Sequence, residues 1–185
     1  AEQAYVALAF RAPSLQRLDA LTATDQDALA LVVLSAVLSG YDGARLERAL
    51  GQGEGRVADT SGSRADVLGR GPSLFYLSGV PAQGKTAQQV EDALRAQVAR
   101  VASEGVSPAE LQRVKTQWMA STVYQRDSLS SQASDLGSNW VQGLPLDAQE
   151  RTLALLRSVT PEQVQSVAQR YFGDDQLTVA TLAPQ

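Results

Sequence analysis

Three parts of the chain carry the residue patterns of strands. Between residues 5 and 10, Val6, Leu8 and Phe10 share one side of a period-two ribbon, and Pro13 ends it. A second strand is predicted over residues 73–78 and a third over residues 177–182. Residues 56–63 predict a weaker, exposed strand that can pair with residues 73–78.

Apolar residues spaced three and four positions apart predict helices between these strands. A helix capped by Thr24 and Asp25 runs to Gly40, and a short helical phrase over residues 44–50 lies among five glycines. A hydroxyl residue followed three positions later by Glu or Gln predicts a capping box, in which each side chain accepts a hydrogen bond from a free amide. Three such boxes are predicted: Thr86 with Gln89, Ser107 with Glu110, and Thr160 with Gln163.

The helix after Thr86 is expected to bury four apolar residues, Val90, Leu94, Val98 and Val101. Apolar spacing continues from residue 108 to residue 140 with a break near Asp127, and further helices are predicted around residues 153–156 and over 161–171. The order strand, helix, strands, several helices, strand favours an α+β class with helices on one face of a sheet.

Length and composition exclude several classes of function. The chain of 185 residues fits one domain, 1–185, and we expect it to be a piece of a longer protein because it does not begin with methionine. It has no histidine and no cysteine, which excludes the usual zinc sites, a Ser-His-Asp triad and a thiolate nucleophile. The net charge of −4 argues against nucleic-acid binding. The longest apolar stretch, residues 28–34, predicts no membrane span.

One segment, Gly79 to Thr86, matches the phosphate-binding motif G-x-x-x-x-G-K-[ST] between a predicted strand and a predicted helix. In a P-loop the backbone up to Gly84 would cradle phosphates, Lys85 would reach them and Thr86 would hold Mg²⁺. Against this, Ala82 stands where a further glycine would help phosphate approach, no later strand ends in an aspartate, and the chain after Lys85 is almost wholly helical. We favour a capping box and keep a nucleotide site as the alternative.

Other candidate residues have structural explanations. Arg45 and Arg48 can bind a peptide carboxylate, but solvated helix charges explain them better. Asp25 and Asp27 lie in a first helical turn, where carboxylates complement the helix dipole. Three aromatic residues on helices are expected to be core or interface anchors: Trp118, Tyr124 and Trp140. We therefore assign no catalytic and no metal-binding residue to this chain.

Several phrases occur in a recognisable order: a strand at residues 3–10, a helix at 27–38 before Gly40, Ala44-Arg45-Leu46 leading to Leu50, and Phe75-Tyr76-Leu77-Ser78-Gly79. The most telling phrase is Gly105-Val106-Ser107-Pro108-Ala109-Glu110-Leu111-Gln112-Arg113-Val114-Lys115. Together they resemble the second domain of the M16 (pitrilysin-like, inverzincin) metallopeptidases. The last phrase is similar to that family's turn, capping box and Glu-Leu at the start of a long helix.

The resemblance implies an α+β fold of the M16 half-subunit (LuxS/MPP-like) type, with an antiparallel-rich sheet covered by helices. It implies that two such domains face each other around a peptide-holding chamber. Zinc in this family is bound by an H-x-x-E-H helix of the first domain and a later glutamate, which a chain without histidine cannot provide. Second domains of the family often also supply an Arg and, seven positions on, a Tyr that hold substrate. Alignment of the Arg-Leu phrase places Gly51 and Ala58 there, so this pair is missing.

We therefore expect this chain to be the non-catalytic, C-terminal-type domain of an M16-like zinc protease or of its inactive companion subunit. The expected partner is a zinc-bearing M16 domain or subunit, with zinc only in that partner and with a peptide as the molecule held between them. A periplasmic location is implied by the resemblance alone. The competing hypotheses are a P-loop nucleotide-binding protein and a plain interaction module without a chamber.

Overall fold

The structure is a computed structural model, and it describes residues 3–68, 72–125 and 128–183. Within these residues, four strands form one antiparallel sheet: β1 (Tyr5–Ala12), β2 (Ala58–Asp66), β3 (Ser73–Pro81) and β4 (Leu177–Leu182). Their order across the sheet is β2-β3-β1-β4, so the first and last strands along the chain lie side by side.

The α-helices of the described residues are α1 (Ala23–Ser39), α2 (Ala87–Glu104), α3 (Pro108–Gln125), α4 (Leu129–Gln142), α5 (Ala148–Ser158) and α6 (Pro161–Arg170). Helix α1 lies between β1 and β2, and the other α-helices of the described residues form one run between β3 and β4. A short π-helical turn occupies Glu47–Gly51 and a 3-10 turn occupies Asp174–Gln176. The predicted α+β class is confirmed, and the sheet contains no parallel pair within the described residues.

Alternation along β1 and β3 decides which face of the sheet is buried, because successive side chains point to opposite faces. Phe172, which follows α6, closes one end of the core with its ring centroid 4.8 Å from that of Phe10 and 4.9 Å from that of Phe75. Buried residues of the two strands lie directly opposite one another on the core face: Val6 and Gly79, Leu8 and Leu77, Phe10 and Phe75.

Helices α1 and α2 cover this face. Helix α1 packs against β2, α5 and α6, and it is buried almost all round, as expected for a helix whose apolar residues are not confined to one stripe. Helix α2 packs against β3 and α6 through the four predicted residues, which are all buried: Val90, Leu94, Val98 and Val101. The prediction that helices lie on one sheet face is confirmed.

Several predicted boundaries differ from the structure, and β1 and β3 end later than predicted, at Ala12 and Pro81. Helix α1 is capped by Thr22, not Thr24: the Thr22 hydroxyl oxygen accepts a hydrogen bond from the Asp25 amide, and the Asp25 carboxylate accepts one from the Thr22 amide. The box therefore starts two residues earlier, because Asp25 can reach back only from the third helical position. Strand β2 begins and ends later than the predicted 56–63. The predicted break near Asp127 lies outside the described residues.

Candidate functional site

The segment that matches the P-loop motif forms a tight connection between β3 and α2. Gly79 lies in β3 on the core face, where an added Cβ would be 2.7 Å from Cγ1 of Val90 in α2. Ala82 is buried, and its amide donates to the carbonyl oxygen of Val57 at 3.0 Å. The amide of Lys85 donates to the carbonyl oxygen of Ala82 at 2.9 Å. These amides already have partners within the chain.

The end of the same segment is a complete capping box. The Thr86 hydroxyl oxygen accepts from the Gln89 amide at 3.2 Å, and the Thr86 amide donates to Oε1 of Gln89 at 2.9 Å. Gly84 has a φ of 77°, which suits glycine at this turn. A P-loop needs free amides at the helix start and a parallel sheet. In this chain Thr86 caps α2 and the amide of Lys85 is bonded to Ala82, while Gly79 and Gly84 lie in the strand and the turn before the helix. Nothing here supports the nucleotide-binding alternative.

Arg45 joins two distant parts of the chain. Its Nε donates to Oε1 of Glu110 at 2.8 Å and its Nη2 to Oε2 of the same carboxylate at 2.7 Å, which makes the pair bidentate. Nη2 also donates to the carbonyl oxygen of Gly105 at 3.0 Å, just after α2. The two side chains are only 15% and 13% exposed. The hydrogen bonds that Arg45 donates to Glu110, together with the negative charge of that carboxylate, raise the pKa of Arg45 despite the opposing effect of burial.

This ion pair corrects two predictions. Arg45 is not a solvated helix charge, because its guanidinium binds a carboxylate of the same chain. The capping box at Ser107 is only half formed: the Ser107 hydroxyl oxygen accepts from the Glu110 amide at 3.1 Å, but the Glu110 carboxylate faces Arg45. The boxes at Thr86 and Thr160 form as predicted.

The acidic residues of the first turn of α1 hold neighbouring backbone in place. Asp25 is buried, and its carboxylate accepts hydrogen bonds from the amides of Gln16, Arg17 and Thr22 and from the Thr22 hydroxyl. Burial raises the pKa of Asp25, but these hydrogen bonds together lower it below its ordinary value. These bonds hold the segment from Gln16 to Thr22 against the first turn of α1, so the buried carboxylate has a structural role.

Asp27, two residues on, ties α1 to the end of α6. It accepts two hydrogen bonds from the Arg170 guanidinium, at 2.7 and 2.5 Å, and a third from the Tyr171 hydroxyl at 2.7 Å. Burial raises the pKa of Asp27, but the bonds and charge of its partners lower it overall. Both carboxylates are structural, as the sequence predicted.

Residues that could grip a substrate are missing where the M16 resemblance would place them. Gly51 ends the π-helical turn, and Ala58 is fully buried at the start of β2, opposite Pro81. An added Cβ at Gly51 would be 4.0 Å from the carbonyl oxygen of Ala58, so the two positions are close together. Neither carries a side chain that can hold a peptide. Within residues 3–68, 72–125 and 128–183, no group of three or more acidic side chains can hold a metal ion.

Two surfaces of the domain remain uncovered. The sheet face opposite the helices carries only partly or fully exposed residues along the described strands, among them Ala7, Ala9, Tyr76, Ser78, Thr178 and Ala180.

No helix in the part of the chain that the structure describes is long and apolar enough to cross a membrane.

The second surface is the outer side of α4. In an ordinary surface helix the apolar side chains face the protein and the polar ones face solvent, and in α4 this arrangement is reversed. Leu136 and Trp140 share a stripe that faces solvent, with Trp140 76% exposed, and Leu129 at the helix start is 84% exposed. Asp135 and Asn139 face a cavity of about 380 Å³ between α4 and α5 instead. Trp118 packs against the core, Trp140 does not, and the side chain of Tyr124 lies outside the described residues.

The fold and its surfaces define a class of protein: an α+β domain with one helix-covered sheet face, one uncovered sheet face and, among the described residues, no metal centre. The profile of the family described as the peptidase M16 inactive domain matches residues 1–118. The chain belongs to this family, which confirms the resemblance seen in the sequence. No curated protein gives a significant sequence match.

Solved structures share the fold over the whole chain. A protease from Helicobacter pylori matches with a TM-score of 0.85 and 22% identity, covering 100% of this chain and 42% of that one. The inactive peptidase domain of a candidate zinc protease from Bordetella parapertussis matches with a TM-score of 0.81 and 18% identity, covering 100% and 92%. The periplasmic protease PqqL from Escherichia coli matches with a TM-score of 0.68 and 18% identity, covering 100% and 19%. This chain thus spans less than half of the first of these proteins.

Proposed function

We propose that residues 1–185 are the non-catalytic, C-terminal-type domain of an M16 zinc protease, or of its inactive companion subunit. The domain packs against a zinc-bearing domain of the same family and forms one wall of a chamber that holds a peptide. The observation that carries this proposal is membership in the inactive-domain family by a chain that has no histidine or cysteine. The zinc of such an assembly therefore belongs to the partner.

The residues of this chain do not fit a zinc site of their own. Protein zinc sites use cysteine, histidine and a limited number of carboxylates, and catalytic sites usually carry three protein ligands. The described residues offer no cluster of that kind. No hydrolytic step is therefore assigned to any residue of the chain.

The uncovered surfaces support a role in assembly. The open sheet face carries small, polar and aromatic side chains without a covering layer, so it is available for contact with another molecule. We assign the chamber wall to this face and the contact with the zinc-bearing domain to the outer stripe of α4. A periplasmic location is part of the proposal, and its support is a single neighbour described as periplasmic.

The test uses the full chain and an M16 polypeptide with an intact H-x-x-E-H motif, encoded upstream in the same reading frame or in an adjacent gene. We expect a one-to-one complex in size-exclusion chromatography with light scattering, and zinc in the partner only. Peptide hydrolysis is expected from the complex and not from this chain alone. A partner that forms no complex and cleaves peptides equally well without this chain would refute the proposal.

Surface variants locate the contact. Leu136→Ser combined with Trp140→Ser removes the exposed apolar stripe of α4 and should weaken the complex at least tenfold without lowering the stability of the chain. Ser134→Ala, on an exposed part of the same helix outside the stripe, is the matched control. If the double variant binds the partner as tightly as the control, the α4 stripe is not the contact surface.

A further inference from the structure

An open groove of about 560 Å³ lies between the π-helical turn and the connection from α2 to α3. Its charged lining comes from three separate segments, which the fold brings together at one end of α2. The side chains are four arginines and two glutamates: Arg45, Arg48, Arg100, Arg113, Glu104 and Glu110.

The charge of the groove is opposite to that of the chain. Four arginines against two glutamates leave the lining with a formal charge of +2, whereas the remaining 12 basic and 18 acidic side chains of the sequence give −6. A concentrated positive charge in a concave surface raises the local concentration of anions. The groove is therefore a local exception on an acidic protein.

Two of the four arginines are already committed. Arg45 is held by Glu110, and Nε of Arg100 donates to both carboxylate oxygens of Glu104 at 3.2 and 3.3 Å. Arg48 and Arg113 are exposed, and neither guanidinium has a hydrogen bond or ion pair with the described residues. Arg45 and Glu110 make the base of the groove rigid, while Arg48 and Arg113 keep their donors for a ligand.

We propose that this groove binds an acidic peptide segment, with Arg48 and Arg113 each taking a carboxylate. A guanidinium presents its donors in a planar fork that matches a carboxylate with two parallel hydrogen bonds. The Ser107 hydroxyl accepts from the Glu110 amide and keeps its own proton to donate. The methyl groups of Ala49 and Ala109 also line the groove and give a peptide backbone apolar surface that a small anion does not need.

The proposal does not depend on the proposed partner, because the groove is complete within this chain. A nucleic acid is a poor fit, since an extended polyanion would also meet the acidic remainder of the surface. A short acidic segment meets only the groove. Charge attraction of this kind weakens as salt screens it.

The test is fluorescence anisotropy with the full chain and a labelled peptide of alternating glutamate and glycine at low ionic strength. We expect saturable binding that weakens at least tenfold in the double variant Arg48→Gln, Arg113→Gln. The matched control, Arg17→Gln with Arg151→Gln, removes the same charge from exposed positions outside the groove and should change binding less than twofold. A peptide with glutamine in place of glutamate should not bind.

Four outcomes would overturn the proposal: no saturable binding by the unaltered chain, equal loss in the control variant, equal binding of the glutamine peptide, or displacement of the peptide by an equal concentration of inorganic phosphate. The last would identify a site for small anions rather than for a peptide. All four altered arginines are exposed, so both double variants should keep the urea midpoint of the unaltered chain. Urea denaturation checks this and separates loss of binding from loss of folding.

Discussion

Replacing Glu110 with glutamine tests whether the ion pair with Arg45 holds the α2–α3 junction to the segment before the π-helical turn. The variant keeps the shape of the side chain but removes its charge. Arg45 then remains largely buried, with the Gly105 carbonyl as its remaining strong acceptor and without a counter-charge. The substitution therefore exposes the cost of an unpaired, partly buried guanidinium.

The size of the effect follows from the exposure of the pair. Exposed ion pairs contribute about 0–1 kcal/mol, whereas removing one partner of a fully buried pair costs about 3–5 kcal/mol. Side chains that are 15% and 13% exposed lie nearer to the buried case. We expect Glu110→Gln to lower the free energy of unfolding by about 2–3 kcal/mol, which at a urea m-value of about 2 kcal/mol/M is a midpoint shift of about 1 M.

Urea denaturation at pH 7, followed by circular dichroism and tryptophan fluorescence, measures this shift. The control is Asp147→Asn, which breaks the exposed pair with Arg151, where the side chains are 49% and 46% exposed. That change should cost less than about 1 kcal/mol. A midpoint for Glu110→Gln no lower than that of the control would refute the reasoning. The double variant with Arg45→Gln should be less destabilised than the sum of the two single variants, because both remove the same interaction.

Three further changes test other parts of the structure. Asp25→Asn should lower the free energy of unfolding at pH 7 by about 1–2 kcal/mol through loss of the cap. Because the pKa of Asp25 is lowered in the folded chain, the stabilisation that its carboxylate provides is lost as the pH falls through the acidic range below about 4. The difference in unfolding free energy between pH 7 and pH 3 should therefore be smaller in the variant than in the unaltered chain. Gly79→Ala should lower the urea midpoint by the equivalent of about 1–3 kcal/mol, since its Cβ would be 2.7 Å from Val90, and an unchanged midpoint would show that α2 can move away freely. Mg-ATP should not raise the thermal melting temperature, and Lys85→Ala should melt within about 1 °C of the unaltered chain; a nucleotide-dependent shift that this variant abolishes would restore the P-loop alternative.

The sequence predicted those elements that depend on residues close together along the chain. The capping box at Thr86 needs only residues three apart in sequence, and the structure forms it as predicted. The alternation of Val6, Leu8 and Phe10 identifies β1 because one face of the sheet is covered by helices and the other is not. Such features depend on a few adjacent positions, and the sequence shows those directly.

Features decided by distant partners could not be predicted in the same way. Glu110 satisfies the capping-box rule at Ser107, yet its carboxylate binds Arg45, which is 65 residues away. Two charge-assisted hydrogen bonds in a partly buried site outweigh one bond to a terminal amide. Helix α4 shows the same limit, since apolar spacing identifies the helix but does not say whether Trp140 faces the core or solvent.

The contact between Arg45 and Glu110 also explains why an inactive domain can keep the family's appearance without its substrate-holding residues. The two phrases that carry most of the resemblance, Ala44-Arg45-Leu46 and the stretch from Gly105 to Lys115, are joined by this one ion pair in the structure. The ion pair between them therefore supports the fold. Gly51 and Ala58, where the resemblance would place an Arg and a Tyr, take no part in this ion pair, and Ala58 is instead buried at the start of β2. Loss of Glu110 is therefore expected to destabilise the domain, whereas the fold of this chain needs neither an Arg at residue 51 nor a Tyr at residue 58.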